Sequence, residues 1–522
     1  MAESLAEALS RLISSEGGYS GLKASFMILG RTFPEIHLMM DGYDQTYTLE
    51  NRVVEGYEAK LVKSDSEIFE RDVDKGVLME ILAGRLLLPI KPVYGSDYVR
   101  KLELRYKMNA VKQLVKDLVS EHKIAVLELR ISPEFFLYEK VRRLSAIFPH
   151  MQRDFAELYA AGWLEKVMPG FLQALHRLVS EGLLEHADGY FKVSESAYRE
   201  YSRLPSLVPS RLSHQLKEYI SRPLLTKVVL QHFLDTAGQM VRPPPPTESS
   251  LPDPESFISI NTRMGLQPLT FQLEVGELVK HLYGDKPVEI RRKGGLLNST
   301  YVLTVKDDGL RRLFIKKYLN WTDLKWLAAR VWTAWVKNFS INPSTRLATE
   351  IFFLDQLRNM GFNTPEVVHV NWRRKILFTT YLDGENLLEV WLREDEGRRE
   401  IAKMVGSCLA RIHSKGVRLG DCKPESFMRV QGDIYLTDLE QASFSGDSSW
   451  DLMELIFYPG HYLSAEEASS LAVHVVEGYL SLGDPDVVSG VLKSRYLRII
   501  SPWTPIWVQR VIGDSVRRYL RA

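Results

Sequence analysis

Four successive prolines, Pro243 to Pro246, limit this chain more than any other stretch. Proline has a fixed φ and no backbone N–H, so a run of four fits neither a helix interior nor a central strand. With its polar neighbours, Arg242–Pro254 reads as a semi-rigid, extended linker. The chain of 522 residues is therefore cut into a front and a back part. At about 100–200 residues per domain the expectation is about three domains. They are an α/β unit at 1–147, a small unit at 150–205, a helical and Pro-rich linker at 206–260, and a back domain at 265–522. The fold class expected is α+β and multidomain.

Composition excludes several classes. Hydrophobic residues make up 45% and charged residues 25%, as in soluble globular proteins, so wholesale disorder and fibres are excluded. The net charge of +1 offers no bulk field for nucleic acid. Only two cysteines occur, Cys408 and Cys422, which fits a reducing compartment and excludes a disulfide scaffold. The first residues show no basic-then-apolar leader pattern, and no apolar window reaches spanning length. The most apolar run, Leu78–Ile90, is interrupted by Glu80 and Arg85. A cytoplasmic protein with no transmembrane segment is expected.

In the front part, Ser25–Leu29, Glu35–Met40 and Val53–Val62 read as strands. Val77–Leu88 and Val99–Val119 read as helices, and Lys123–Ile131 as a strand. The helix around Val99–Val119 carries Arg100, Lys101, Arg105, Lys107, Lys112 and Lys116, which form either a solvated face or an RNA contact. Acids stand near strand ends, Asp41, Asp44 and Asp65 among them, and the apolar Leu78–Ile90 helix with the Gly95-Ser96-Asp97 turn loosely resembles nucleotidyltransferase-like domains. The carboxylate pair such chemistry needs is not evident, so a non-catalytic role is expected. Next, Phe171, Leu172, Leu175, Leu178 and Val179 recur at helical spacing. After Gly182 the Asp188-Gly189 turn predicts a hairpin returning along Tyr190–Val193. Helix then hairpin resembles a winged helix.

The chemistry lies further on. Asp421 sits in Leu419-Gly420-Asp421-Cys422-Lys423-Pro424-Glu425-Ser426. A short hairpin follows, turning at Gln431-Gly432-Asp433, and the return strand Ile434–Thr437 ends in Asp438-Leu439-Glu440. Phosphoryl transfer requires this layout: one carboxylate orients the attacking hydroxyl and a second holds the magnesium on the nucleotide phosphates.

The segment resembles the protein-kinase-like superfamily, in its atypical branch of RIO, KEOPS-associated and aminoglycoside-phosphotransferase-like kinases. The resemblance implies a two-lobed fold over 265–522 that uses ATP and Mg2+. Gly294, Gly295, Asn298 and Ser299, in a Gly-Gly-x-x-Asn loop, would cover the phosphates. Lys316 in Leu313-Phe314-Ile315-Lys316 would pair with them, and Lys317 should point to the opposite face. Glu350, the only Glu of the apolar helix Leu347–Leu357, would position Lys316. Tyr381 and Leu382 would form the adenine-binding hinge. Asp421 and Lys423 would be catalytic, and Asp438, Ser426 and Glu440 would hold metal. Asp451 would either brace the catalytic loop or cap a helix, and His413 would be a packed histidine.

Three positions depart from the pattern. Leu419 replaces a packing His, Ser426 an Asn, and Glu440 a Gly. The function expected is an ATP-dependent serine/threonine protein kinase. A small-molecule phosphotransferase and a nucleotide-binding pseudokinase scaffold are the alternatives. ATP is the first partner, a protein substrate is preferred to a small molecule, and the front half could meet RNA or a ribonucleoprotein. Trp321, Trp326, Trp332 and Trp335 cluster in Trp321–Phe339, either as a cover on the fold or as an amphipathic helix for a membrane, lipid-like substrate or partner.

Overall fold

The structure is a computed structural model that describes residues 20–30, 34–54, 57–148, 151, 154–156, 162–203, 251–294, 298–306, 311–319, 340–393 and 397–521. Residues 242–250 of the expected proline linker, the tryptophan cluster Trp321–Phe339 and Gly295 lie outside the described residues, whereas Pro254 opens a 3-10 turn over Pro254–Phe257. The architecture is mixed α+β with several sheets. The chain divides into two compact units. Unit 2 takes His122–Glu128, Asn261–Gln267 and Phe271–Ala522, and unit 1 takes the rest.

Unit 1 begins with β1 (Leu22–Ile28), β2 (Glu35–Met40), β3 (Tyr47–Val54) and β4 (Tyr57–Asp65). Helix α1 (Ser66–Lys75) follows, capped by the Asp65 carboxylate on the Ile68 amide. Next come β5 (Ile90–Tyr94) and α2 (Ser96–His122). The sheet order is β3-β4-β2-β1-β5, with β2 and β4 parallel. Met27, Ile36, Leu38, Ala59 and Leu61 form its core cluster. Further on are β6 (Leu129–Ile131), α3 (Pro133–Ile147), α4 (Leu164–Ser180), β7 (Leu184–Ala187), β8 (Tyr190–Val193) and α5 (Glu195–Ser202). The hairpin expected at Asp188-Gly189 forms, with Ala187 opposite Tyr190. Strand β9 (Ile258–Thr262) pairs with β6 from Leu129↔Ile260 to Ile131↔Ile258.

Three expectations for this part need correction. Val53–Val62 is not one strand: β3 and β4 form a hairpin paired from Tyr47↔Ser64 to Val54↔Tyr57, so each strand satisfies the other's backbone. Val77–Leu88 is not an α-helix, and only Ala83–Leu87 forms a 3-10 turn. The buried carboxylate of Asp72 captures the backbone amides of Leu78, Glu80, Leu82 and Ala83, at 2.8–3.2 Å, which a helix would have used internally. Met79 and Glu80 take positive φ there. Lys123–Ile131 is a 3-10 run over Lys123–Glu128, with only Leu129–Ile131 extended, since Lys123 has φ 52°.

Four of the six basic residues named on α2 are ion-paired. Lys107 is buried against Glu103 at 2.7 Å. Arg105 meets Asp74 at 3.0 Å and Glu70 at 3.3 Å, Arg100 meets Glu103 and Lys112 meets Glu181.

Unit 2 contains β10 (Gly265–Pro268), α6 (Val275–Tyr283), β11 (Val288–Gly294), β12 (Asn298–Val305), β13 (Arg311–Tyr318), α7 (Pro343–Asn359), β14 (Val367–Asn371) and β15 (Ile376–Thr380). Strands β11-β12-β13-β15-β14 form an antiparallel sheet. One face packs Leu303, Val305, Leu313, Ile315 and Phe378 with Leu278 and Val279 of α6. The chain continues through β16 (Glu385–Asn386), α8 (Leu387–Trp391), α9 (Gly397–Ser414), β17 (Phe427–Val430), β18 (Asp433–Leu436) and α10 (Ser448–Phe457). It ends in α11 (Ala465–Leu480), α12 (Pro485–Gly490), α13 (Ser494–Ile500) and α14 (Ile506–Arg521). Helices α9 and α11 cross at glycines: a Cβ on Gly406 would lie 2.0 Å from the Val475 carbonyl, and one on Gly478 2.0 Å from that of Lys403. Among the described residues, no helix is long and apolar enough to cross a membrane.

Candidate functional site

Strand alternation sets the site. In β13, Leu313 and Ile315 enter the core while Lys316 and Tyr318 are buried on their own side, and Lys317 is exposed. Helix α7 starts at Asn342, whose side chain accepts from the Ser344 and Thr345 amides, and buries Glu350. Lys316 Nζ lies 2.6 Å from Glu350 Oε2, 2.5 Å from Asp438 Oδ1 and 3.0 Å from Glu440 Oε2. Residues from β13, α7 and the loop after β18 thus converge on one ammonium. Burial alone would discharge Lys316, but Asp438, Glu350 and Glu440 outweigh it and hold its pKa well above the ordinary lysine value. Desolvation raises Asp438, yet the Lys316 ammonium wins and holds this carboxyl below its usual value, with Lys423 and Arg346 contributing.

Two of these partners carry no signal of their own in the sequence. Arg346, fully buried, donates to Glu440 Oε1 at 3.0 and 2.8 Å and also to Asn298 Oδ1. It sits one helical turn before Glu350, so both face the cluster. Tyr318 Oη donates to Glu350 Oε2 at 2.5 Å. Asn298 Nδ2 donates to Glu440 Oε2 at 2.9 Å, so both Asn298 and Glu440 are tied into the protein. Ser299, half-buried next to Asn298, faces the other side of β12.

The residues around Asp421 form a second group. Lys423 Nζ pairs with Asp421 Oδ1 at 2.7 Å, and Asp421 and Glu454 outweigh burial to raise the lysine's pKa. Ser426 is buried, and its hydroxyl donates to the Asp421 carbonyl at 3.1 Å. Asp451 braces the loop: its carboxylate accepts from the Leu419 amide at 2.6 Å, the Gly420 amide at 2.8 Å, and His413 Nε2 at 3.2 Å. The helix cap is instead Asp447, on the Ser449 amide. His413 is buried, with its other ring nitrogen on Tyr479 Oη. Gly420 has φ +82°, a conformation open to glycine at little cost, and its carbonyl accepts from Trp450 Nε1. Glu454, for which the sequence gives no cue, accepts the Cys422 amide at 2.8 Å.

Tyr381 and Leu382, both half-buried, follow β15. The Tyr381 ring is approached by the Arg312 guanidinium at 5.1 Å and Lys293 Nζ at 5.7 Å. Gly294 stands opposite Thr300 in the β11–β12 register.

The ligand atoms of Glu350, Asp438 and Glu440 lie within 4.8 Å of one another. All-carboxylate donors suit a hard divalent cation. Asp438 is the open member, with 45% of its side-chain surface exposed, whereas Glu350 and Glu440 are buried against Lys316 and Arg346. A cation therefore fits at Asp438 first.

Residues 306–457 match the sequence pattern of the lipopolysaccharide kinase (Kdo/WaaP) family. The chain is also similar to the KEOPS complex subunit Bud32 of Pyrococcus abyssi, with 27% identity over 100 residues, 19% of this chain and 46% of that protein. It thus spans about half the length of that curated relative. Residues 306–457 carry Lys316, Glu350, Asp421 and Asp438, and the two matches support assigning this part of the chain to the protein-kinase-like superfamily.

Proposed function

We propose that unit 2 is an ATP-dependent phosphotransferase with a two-lobed, kinase-like layout. The observation that carries this is the Lys316 ammonium shared by Glu350 and Asp438, with the Asp421–Lys423 pair nearby. Lys316 binds the nucleotide phosphates and Glu350 holds Lys316. Tyr381, Leu382 and Gly294 bound the nucleotide. Asp438 holds the magnesium, which when bound offsets phosphate charge. Glu440 and Asn298 fix Arg346 and Lys316 in place, and Ser426 fixes the Asp421 backbone. Asp421 accepts the acceptor's hydroxyl proton as the new O–P bond forms and the bond to the β-phosphate oxygen breaks, releasing ADP. Lys423 steadies the moving phosphoryl group.

A serine or threonine of a protein is our first acceptor. The second reading is a non-protein hydroxyl, favoured by the matching family's description as a lipopolysaccharide kinase. In unit 1 we read α4 with the β7–β8 hairpin as winged-helix-like, a candidate for protein or ribonucleoprotein contact. A cytoplasmic setting is in keeping with the free Cys408 and Cys422.

Labelled ATP tests the reading. Wild type should transfer label to itself, to a protein or to an added sugar. Asp421→Ala and Asp438→Ala should each lose about a hundredfold or more. ATP binding with no transfer in wild type would favour a pseudokinase scaffold.

A further inference from the structure

The end of unit 2 carries an exposed face that phosphoryl transfer does not use. Helix α14 buries Val508, Gln509, Ile512, Gly513 and Val516. Its other side presents Ile506 at 60% and Trp507 at 63% exposure, with Trp503 at 41% just before the helix. Large apolar side chains grouped this way on a surface mark an interaction site. The same exposed side continues with Arg510, Arg517, Arg518 and Arg521. Its one acid, Asp514, is paired with Arg517 at 2.9 Å.

We propose that this face docks on an anionic lipid bilayer. Two indoles and an isoleucine at one end suit the headgroup–acyl boundary, where an aromatic body finds apolar contact and its N–H finds water. Guanidiniums along the rest of the helix meet lipid phosphates and keep their heads at the interface. Charge selects this occupant: the face holds four arginines and one already paired acid.

The patch is also joined to the catalytic loop. The Trp503 carbonyl accepts from His461 Nδ1 at 2.7 Å, and His461 packs on Tyr462 with ring centroids 4.6 Å apart. Tyr462 packs on Tyr458 at 5.9 Å, and Lys423 Nζ lies over the Tyr458 ring at 5.7 Å. The docking does not rest on the phosphotransferase reading and is measured without turnover.

The test is sedimentation of the full chain with equimolar phosphatidylcholine and phosphatidylglycerol vesicles, against pure phosphatidylcholine. Binding to the anionic vesicles alone is expected, falling about tenfold or more in Trp503→Ala/Trp507→Ala and in Arg510→Glu/Arg518→Glu. Circular dichroism should show both double variants folded. Failure to bind anionic vesicles, or binding unchanged in folded variants, overturns the proposal. A wild-type dimer that becomes a monomer in the tryptophan variant would overturn it in favour of a second copy of the chain.

Discussion

At the residue scale, Arg346 shows how strongly the site depends on one buried charge. It is the counter-ion of Glu440 and the partner of Asn298, both of them buried. Removing one member of a buried ion pair leaves the other uncompensated, at about 3–5 kcal/mol. Arg346→Leu should therefore lower the unfolding free energy of unit 2 by that order in urea titrations. Arg346→Lys should rescue little, because an ammonium cannot reproduce the guanidinium's several directed bonds. Glu350 is legible as the only Glu of a largely apolar helix segment. Arg346 is not, because what justifies burying it lies 94 residues further on.

At the element scale, the Asp72 loop overrides local apolar pattern. Leu78–Leu88 has helical composition, but one carboxylate binds four of its amides. Asp72→Ala would orphan all four and should destabilise unit 1 by about 3 kcal/mol. Burial raises the Asp72 carboxyl to about 6, against the downward pull of the Ala83 and Leu78 amides. The folded state thus holds this proton more tightly than the unfolded chain. The stabilising contribution is complete below the ordinary carboxylate pKa and is lost as pH rises through about 6. Measured against Asp72→Asn, wild type should lose about 3 kcal/mol of relative stability between acidic and neutral pH. A difference that stays flat with pH would contradict this. The β17–β18 hairpin is the opposite case: its turn at Gln431-Gly432 and strands on either side form as its sequence implies, because hairpin geometry is set by neighbouring residues.

At the scale of the whole molecule, unit 2 is not one continuous stretch. Lys123–Glu128 packs on α7, and Gln356 donates to Glu128 at 3.0 Å. Helix α7 also carries Glu350. A fragment beginning at residue 251 lacks this support and should bind ATP about tenfold more weakly than the full chain by calorimetry, a loss of about 1.4 kcal/mol. Equal affinity would show that α7 is held by the rest of unit 2 alone.

The sequence alone determined the features that depend on near neighbours: the hairpin between Asp421 and Asp438, the side of β13 that Lys316 takes, and Glu350 as the only Glu of its helix. Each follows from turn chemistry, strand alternation or composition within one element. Only the tertiary structure decided which reading of Asp451 holds, that Glu440 is bound by Arg346 and Asn298, and that Asp72 dissolves a helix. In each case a buried polar group must find a partner, and nothing in the local pattern says where in the folded chain that partner stands.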